Sequence, residues 1–223
     1  MLKKGLEELG FSQEQIERIS PLLEKYIYEL QLFKQKYNSV LGANTYEEIV
    51  SKHIMDSLAP CKIFEKMIEE IKQNKGDEYK IQFADVGTGT GLPGIPLAIA
   101  FPEISFTLIE RMSKKTIFLE TIVSILNLRN VTVKNIELER VPQDSFDVVV
   151  FRAFAPFNKK SIRPLLRVLH PDGKLAAYKS VPENITNEME NVKEWAPVWS
   201  MEHLDVPYMS GFQRNLVIVP RSK

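Results

Sequence analysis

The residue types with the clearest chemical meaning in this chain lie in the segment 85–96, which reads DVGTGTGLPGIP. Three alternating glycines follow the acid Asp85, namely Gly87, Gly89 and Gly91. Because glycine has no Cβ, the backbone can touch a ligand there, and the free N–H groups of a following helix can bind it. Residues 81–86 have the pattern of a buried strand, and residues 95–101 that of an apolar helix. This order of strand, turn and helix predicts a nucleotide-cofactor site.

Three explanations of the glycine segment stay open at this point. The alternation of glycines after an acid resembles motif I of the class I S-adenosylmethionine (SAM) methyltransferases. Residues 89–94 also satisfy the G-x-G-x-x-G pattern of dinucleotide-binding proteins, and Glu110 lies about where a ribose-binding acid belongs. In the third explanation the glycines only form a tight turn. The elements around the segment distinguish among these.

The chain from residue 80 onward alternates between strand and helix patterns. We predict strands at 81–86, 105–109, 131–133, 146–151 and 174–178, and helices at 113–126, 158–169 and 184–194. Two last strands, 198–204 and 215–219, are joined by a short loop, which predicts an antiparallel pair. A dinucleotide-binding sheet is expected to stay parallel, so the hairpin favours the methyltransferase sheet by analogy of fold. We predict an α/β fold of the class I SAM-dependent methyltransferase type, Rossmann-like, with a mostly parallel seven-stranded sheet and an antiparallel C-terminal hairpin.

Residues 1–76 are predicted to form a helical extension packed on a SAM-binding methyltransferase domain, residues 77–223. Capping-box patterns at Ser12 and Thr45 predict helix starts. A further helix start is predicted at Ser20-Pro21, since proline is favoured in a first helical turn and unfavourable inside a helix. The segment 38–44 is predicted to be a loop.

The composition is that of an ordinary globular protein, with 223 residues, 44% hydrophobic and 26% charged. No apolar run approaches the ~20 residues that span a bilayer, so we expect no membrane association and a cytoplasmic location. The single cysteine, Cys61, excludes an intramolecular disulfide and a multi-cysteine metal site. His170 and His203 lack partners at metal-ligand spacing, and we predict no metal. We expect a monomer.

The net charge of +0 conceals a gradient along the chain. Residues 1–110 carry 12 basic and 17 acidic side chains, a net charge of −5, whereas residues 111–180 carry 13 and 6, a net charge of +7. The basic excess follows the glycine segment, as a phosphate-facing surface would require. Solvated helix faces are the alternative explanation. The candidate phosphate contacts are Lys114, Lys115, Arg129, Lys159, Lys160, Arg163 and Arg167.

Three stretches taken together resemble one family. The glycine segment with its GLPGIP extension, HIMDSL at residues 53–58 and Arg-Ala-Phe at residues 152–154 are similar to the RsmG (GidB) family over about residues 35–220. The resemblance implies a bacterial enzyme that uses SAM to methylate N7 of a guanine in the 530 loop of 16S ribosomal RNA. It implies 16S rRNA, or the 30S subunit or its assembly intermediate, as the partner.

The resemblance also assigns roles to individual residues. The alternating glycines would approach the methionine end of SAM, Asp85 would help neutralise its ammonium group, and Leu92 would contact the cofactor. Glu110 would accept hydrogen bonds from the ribose hydroxyls, as a carboxylate with two oxygens can. Ile136 and Glu137 would line the adenine. Arg152 would lie in the cofactor site, and we further predict that it orients the RNA or the cofactor carboxylate.

The residues near the predicted site restrict the chemistry. Phe-Arg-Ala-Phe at 151–154 replaces the Asn/Asp-Pro-Pro-Tyr/Phe motif that many methyltransferases of exocyclic amines carry at this position. Cys61 lies in the helical region, which argues against covalent catalysis at a pyrimidine carbon. Guanine N7 already has a lone pair, so its methylation needs positioning and charge stabilisation rather than a base. Phe154 and Phe157 are candidates for stacking on the target base.

His53, Asp56 and Ser57 fall on one face of a predicted helix. We interpret the helix as packing beside the cofactor loop, with His53 and Asp56 as polar contacts to loop backbone or RNA, or as plain packing residues. A Ser-His-Asp triad is disfavoured, because residues on one helical turn rarely reach that geometry. Two other functions stay open: a non-catalytic SAM- or RNA-binding ribosome assembly factor, and an NAD-dependent dehydrogenase.

Overall fold

A seven-stranded sheet forms the centre of the computed structural model, which describes residues 1–37, 45–153 and 155–221. The loop predicted at 38–44 and the stacking candidate Phe154 lie outside the described residues. The strand order is β3-β2-β1-β4-β5-β7-β6. The strands are β1 (Gln82–Val86), β2 (Ser105–Ile109), β3 (Val131–Lys134), β4 (Phe146–Arg152), β5 (Leu169–Lys179), β6 (Ser200–His203) and β7 (Asn215–Pro220).

The pairing confirms the predicted sheet type. Strands β1 to β5 pair in parallel, whereas β7 runs antiparallel to both β5 and β6. The central strand β4 is buried along Phe146–Phe151, as expected of a strand covered on both faces. The antiparallel C-terminal hairpin therefore distinguishes this fold from an all-parallel dinucleotide-binding sheet.

Helices cover both faces of the sheet. They are α1 (Leu2–Glu8), α2 (Gln13–Tyr37), α3 (Tyr46–Ile49), α4 (Asp56–Leu58), α5 (Cys61–Lys75), α6 (Gly94–Ala100), α7 (Ser113–Leu126), α8 (Lys159–Arg167) and α9 (Pro182–Asn191). One apolar cluster joins α1, α2, α5, α6 and α7 to one face of the sheet, and a second joins α8 and α9 to the other. The N-terminal helices thus share a core with the strands.

The prediction of a new helix at Ser20-Pro21 is wrong. Helix α2 is continuous from Gln13 to Tyr37 with Pro21 inside it. Side chains on both sides of the proline, such as Ile16 and Leu23, are buried in the same cluster. Tertiary burial of one long apolar face outweighs the local cost of the proline. The capping boxes predicted at Ser12 and Thr45 are both present.

The predicted boundaries are accurate for β2 and α7 and less so towards the C-terminus. Strand β5 begins five residues before the predicted 174, so residues 169–173 also belong to it. Its pairing with β4 shifts register between Phe146 and Val148, and this irregularity accommodates Gly173. Helix α9 ends at Asn191, three residues before the predicted end.

A π-helix, Val50–Met55, joins α3 to α4. The helix predicted to carry His53, Asp56 and Ser57 is therefore π-helical in the part that contains His53. Turns of π-helix are rare in proteins, and those that do occur are often found at functional sites. This one contains Lys52 and His53, which contact the candidate site.

Across the described ranges, no helix is long and apolar enough to cross a bilayer. The same ranges contain no group of three His, Cys, Asp or Glu side chains suited to a metal ion.

Candidate functional site

The candidate site lies where the parallel strands end. The chain passes from β1 to β2 on one side and returns to β4 on the other, so the carboxyl end of β1 is the switch point at which open α/β sheets bind ligands. A cavity of about 1160 Å³ opens there. Its lining comes from the glycine loop, the π-helix, the end of β4, the end of β5 and the loop before β7.

The glycine loop is fixed at both ends. The N–H of Gly87 donates to the carbonyl of Ile109 at the end of β2 (2.9 Å), and the hydroxyl of Tyr26 donates to the carbonyl of Thr90 (2.9 Å). Gly89 has a positive φ of 64°, and a Cβ added there would make only ordinary contacts, with the carbonyl of Gly87 at 3.9 Å and the ammonium of Lys115 at 4.0 Å. At Gly94, by contrast, a Cβ would lie 2.8 Å from Asp85 Oδ2. Gly89 therefore leaves room for a ligand, whereas Gly94 allows close packing.

Asp85 is completely buried below this loop. Its Oδ2 accepts hydrogen bonds from the Thr88 hydroxyl (2.7 Å) and from the Gly94 N–H at the start of α6 (2.8 Å). Its Oδ1 has no hydrogen-bonding partner in the described structure. Burial raises the pKa of Asp85 to about 6, although the bonds from Thr88 and Gly94 and the charge of Arg152 act in the opposite direction. Among the described residues, no cation is in contact with this carboxylate.

Glu110 follows β2 directly, as predicted, and is also buried. One carboxylate oxygen accepts from the N–H of Gly89 (3.1 Å), and the other accepts from the N–H of Met112 (2.9 Å). The ammonium of Lys115 lies 3.7 Å from the first oxygen. These contacts hold the carboxylate against the glycine loop.

Beyond Glu110 a second, shallower depression of about 510 Å³ lies over the ends of β2 and β3. Ile136 and Glu137 both line it, together with Met112. The depression is held open by Asn135, whose amide donates to the carbonyl of Glu110 (3.0 Å). The residues predicted to line the adenine are therefore next to the predicted ribose acceptor.

Arg152 extends from the end of β4 to the π-helix. Its Nη1 donates to Asp56 Oδ2 (2.8 Å) and to the carbonyl of Lys52 (3.1 Å), and its Nη2 lies 3.2 Å from His53 Nδ1. His53 and Asp56 thus do share a face, and both contact Arg152. The Ser57 hydroxyl donates to the carbonyl of His53 (2.6 Å), so it forms no triad with the imidazole.

Asp56 binds a second arginine that the sequence analysis did not identify. Arg214, immediately before β7, donates from Nε to Asp56 Oδ1 (3.1 Å). The side chain of Asp56 is only 5% exposed, so both of its oxygens are occupied within the protein. Arg214 is distant in sequence from Asp56, and no spacing in the sequence indicates the pair.

Lys179, the last residue of β5, is a further charged residue in the cavity lining. Its ammonium contacts Glu188 (2.6 Å) and lies 4.4 Å from the centre of the Phe157 ring. Phe157 itself is buried, 2% exposed, and packs edge-on against Phe151. Phe157 is therefore a core residue, and of the two stacking candidates only Phe154 stays untested.

The seven predicted phosphate contacts do not form one surface. Lys114 and Lys115 begin α7, and Lys159 and Lys160 begin α8, near the carboxyl edge of the sheet. Arg129 precedes β3 and lies at the opposite edge. Two further arginines lie along α8, where Arg163 is exposed and Arg167 donates to the carbonyls of Leu138, Glu139 and Val141.

Two solved structures have a fold similar to that of this chain. A tRNA (m1A58) methyltransferase from Aquifex aeolicus matches with a TM-score of 0.54 and 14% identity over 74% of this chain and 69% of its own. A predicted O-methyltransferase from Agrobacterium tumefaciens matches with a TM-score of 0.53 and 16% identity over 67% and 77%. The fold is that of a class I SAM-dependent methyltransferase.

The particular family follows from sequence comparison. A family model described as GidB, rRNA small subunit methyltransferase G, matches residues 19–217. Ribosomal RNA small subunit methyltransferase G from Treponema denticola is 35% identical over 99% of this chain and 94% of its own length, and that from Klebsiella pneumoniae is 31% identical over 100% and 98%. This chain belongs to the rRNA small subunit methyltransferase G family.

SAM is the cofactor of this class of enzyme, and the residues present fit it. The buried carboxylate of Asp85, with one oxygen lacking a partner, suits a cofactor that carries an ammonium group. Gly89 lines the cavity and has no close neighbour where a Cβ would stand, which suits a ligand in contact with backbone. Glu110 provides two acceptor oxygens beside it.

Proposed function

We propose that this protein transfers the methyl group of SAM to N7 of a guanine in the 530 loop of 16S rRNA. The observation that carries the proposal is the cavity at the end of β1, which joins a cofactor-type glycine loop to a basic rim. Five basic side chains line the cavity against two acidic ones, giving a net charge of +3. Such a rim suits a polyanionic substrate. Membership of the family supports the choice of ribosomal RNA.

Each cofactor contact is proposed for a residue of this chain. Gly87, Gly89 and Gly91 expose backbone to the methionine end, Asp85 offsets its ammonium charge, and Leu92 contacts the cofactor. Glu110 accepts from the ribose, because its carboxylate lies beside Gly89 and both of its bonds are to backbone N–H groups. Ile136 and Glu137 line the depression proposed for adenine.

When bound, SAM supplies an electrophilic methyl group on a good leaving group. The protein then has to orient the guanine and to manage the positive charge that develops on it. The charged groups near the cavity suit that task, since Asp56 and Glu188 are each paired with a cation and neither is needed as a base. We propose that Arg152 orients the substrate or the cofactor carboxylate, because Asp56, His53 and the carbonyl of Lys52 fix its direction.

The basic residues at the starts of α7 and α8 are proposed as RNA contacts. Arg129 and Arg167 are less suited to that role, because Arg129 lies at the opposite edge of the sheet and Arg167 is bound to backbone carbonyls of the protein. We further propose that residues 1–76 act as a helical extension that supports the domain 77–223, since Tyr26 of α2 bonds the glycine loop. The protein is proposed to act as a monomer in the cytoplasm on 16S rRNA, the 30S subunit or an assembly intermediate.

The direct test is methyl transfer from labelled SAM to small subunits that lack the modification. We expect label in one guanine of the 530 loop, and chain cleavage after reduction and aniline treatment identifies N7 as the methylated atom. Subunits that already carry the modification are the control and should accept no label.

Two other results would replace the proposal. SAM binding without transfer to subunits, naked 16S rRNA or assembly intermediates would indicate a non-catalytic assembly factor. Tight binding of NAD with none of SAM, measured by calorimetry, would indicate a dehydrogenase.

A further inference from the structure

The loop between β6 and β7 carries an aromatic side chain at the mouth of the cavity. Phe212 lines the cavity and yet is 62% exposed. Scattered exposed apolar side chains are ordinary on a protein surface, but this one borders the candidate site. It lies two residues before Arg214, whose guanidinium is bound to Asp56.

The loop around Phe212 is anchored at several points. The N–H of Leu204 donates to the carbonyl of Arg214 (2.8 Å) and closes the base of the loop, and the N–H of Phe212 donates to the carbonyl of Met209 (3.0 Å). The side chain of Met209 is buried, and the hydroxyl of Tyr208 donates to the carbonyl of Met1 (3.0 Å). Phe212 is therefore presented on a supported turn, so that little order has to be gained on binding.

Charge and ring chemistry at this point favour one kind of ligand. Arg214 faces the cavity with its Nε directed to Asp56 and its Nη1 to the carbonyl of Gln213, which fixes the plane of the guanidinium. A fixed guanidinium binds phosphate well, and an exposed ring beside it offers a stacking face to a base. Each nucleotide of single-stranded RNA supplies both a phosphate and an unpaired base.

We propose that Phe212 is a stacking platform for an unpaired base of the RNA substrate at the entrance of the site, and that Arg214 holds the adjoining phosphate. This inference rests on the proposed function, since it takes RNA as the substrate. It assigns base stacking to a residue of the β6–β7 loop, whereas the candidates predicted from the sequence were Phe154 and Phe157.

The test compares substitutions of Phe212 by steady-state methyl transfer and by direct RNA binding to the protein saturated with adenosylhomocysteine. Phe212→Ala should raise KM for RNA and weaken RNA binding by roughly 5- to 100-fold, the range for loss of one stacked base. Phe212→Leu should be nearly as weak, because it keeps apolar area without a π face. Phe212→Trp should retain wild-type affinity, and its indole fluorescence should change on addition of RNA.

SAM affinity and the thermal midpoint should be unchanged in all three variants, since the side chain is mostly exposed. Val198→Ala, at a side chain that is 64% exposed and outside the cavity lining, is the matched control and should leave KM for RNA unchanged. Arg214→Gln should lower the log–log salt slope of binding by about 0.7 to 0.9.

The proposal is overturned if Phe212→Leu binds RNA like the wild type, or if Phe212→Ala leaves KM for RNA unchanged. Both results require a wild-type enzyme that methylates the RNA, so they differ from failure of the proposed function, in which the wild type transfers no methyl group.

Discussion

Two buried carboxylates lie near the cavity, Asp56 in its lining and Asp85 below the glycine loop. Asp56 has a cation on each oxygen, from Arg152 and Arg214, whereas among the described residues Asp85 receives only a hydroxyl and a backbone N–H, both on one oxygen. Burying a charge without a counter-charge is costly, and the raised pKa of Asp85 expresses that cost. Asp56 is thus paired within the protein, and the surroundings of Asp85 support the proposal that a bound ligand supplies its cation.

Removal of Asp56 should have the larger effect on the folded protein. Asp56→Ala leaves two guanidiniums of limited exposure without their shared carboxylate, and we expect the free energy of unfolding to fall by about 2 to 3 kcal/mol. Methyl transfer should be lost, because Arg152 is no longer oriented. Urea denaturation and methyl-transfer assays measure the two effects. A free energy of unfolding equal to that of the wild type would contradict the view that the two arginines depend on Asp56.

Asp85→Asn should instead affect the ligand more than the fold. Asparagine keeps an acceptor for the Thr88 hydroxyl and the Gly94 N–H, and it removes a charge that burial disfavours. We expect unchanged or slightly higher stability of the ligand-free protein at pH 7.5. SAM affinity should fall about fivefold or more, since a charge pair of this kind is worth ~1 to 4 kcal/mol. Calorimetry with the wild type and Asp85→Asn gives the result, and equal affinities would remove the proposed role of Asp85.

The pH dependence of SAM binding sharpens the same comparison. The pKa of Asp85 in the ligand-free protein is raised to about 6, so below pH 6 the carboxyl is mostly protonated. A bound ammonium group favours the ionised form. SAM affinity should therefore rise by up to about tenfold per pH unit as the pH increases towards 6, and should then level off. Asp85→Asn should remove this dependence, and a wild-type affinity that is flat between pH 5 and 7 would contradict it.

The contribution of Asp85 to folding stability changes with pH in the opposite direction to SAM affinity. A carboxyl whose folded pKa lies above its ordinary value stabilises the fold when protonated. For Asp85, whose ordinary value is 3.8, this contribution is complete below about pH 4 and is lost as the pH rises through 6. The ligand-free protein should thus lose this part of its stability in the range where it gains affinity for SAM.

The smallest expected effects are on the salt dependence of RNA binding, at basic residues that do not pair with Asp56. Lys114 is exposed at the start of α7 on the cavity side, whereas Arg129 is exposed at the opposite edge of the sheet. Lys114→Gln should lower the log–log salt slope of RNA binding by about 0.7 to 0.9, and Arg129→Gln should leave it unchanged. Filter binding between 50 and 200 mM salt distinguishes them. A reduced slope for Arg129→Gln alone would place the RNA on the other edge.

Local patterns determined much of the fold. The bounds of β2 and α7, both capping boxes and the antiparallel last pair of strands follow from periodicity and from capping and turn residues, which act over a few positions. The break predicted at Pro21 was wrong because burial along α2 is a property of the whole core. Local propensity predicts elements well where no distant contact opposes it.

For the site, the residue pattern was enough to predict that Asp85, the alternating glycines and Glu110 meet at one edge, because parallel strands end together, Asp85 and the glycines lie at the end of β1, and Glu110 follows β2 directly. Which charges pair with one another depends on the folded arrangement. Asp56 meets Arg152 and Arg214 across 96 and 158 positions of the chain, and Phe212 reaches the cavity mouth through a loop whose path depends on β7. Such contacts depend on how separate elements pack in three dimensions, and a one-dimensional pattern carries no record of that packing.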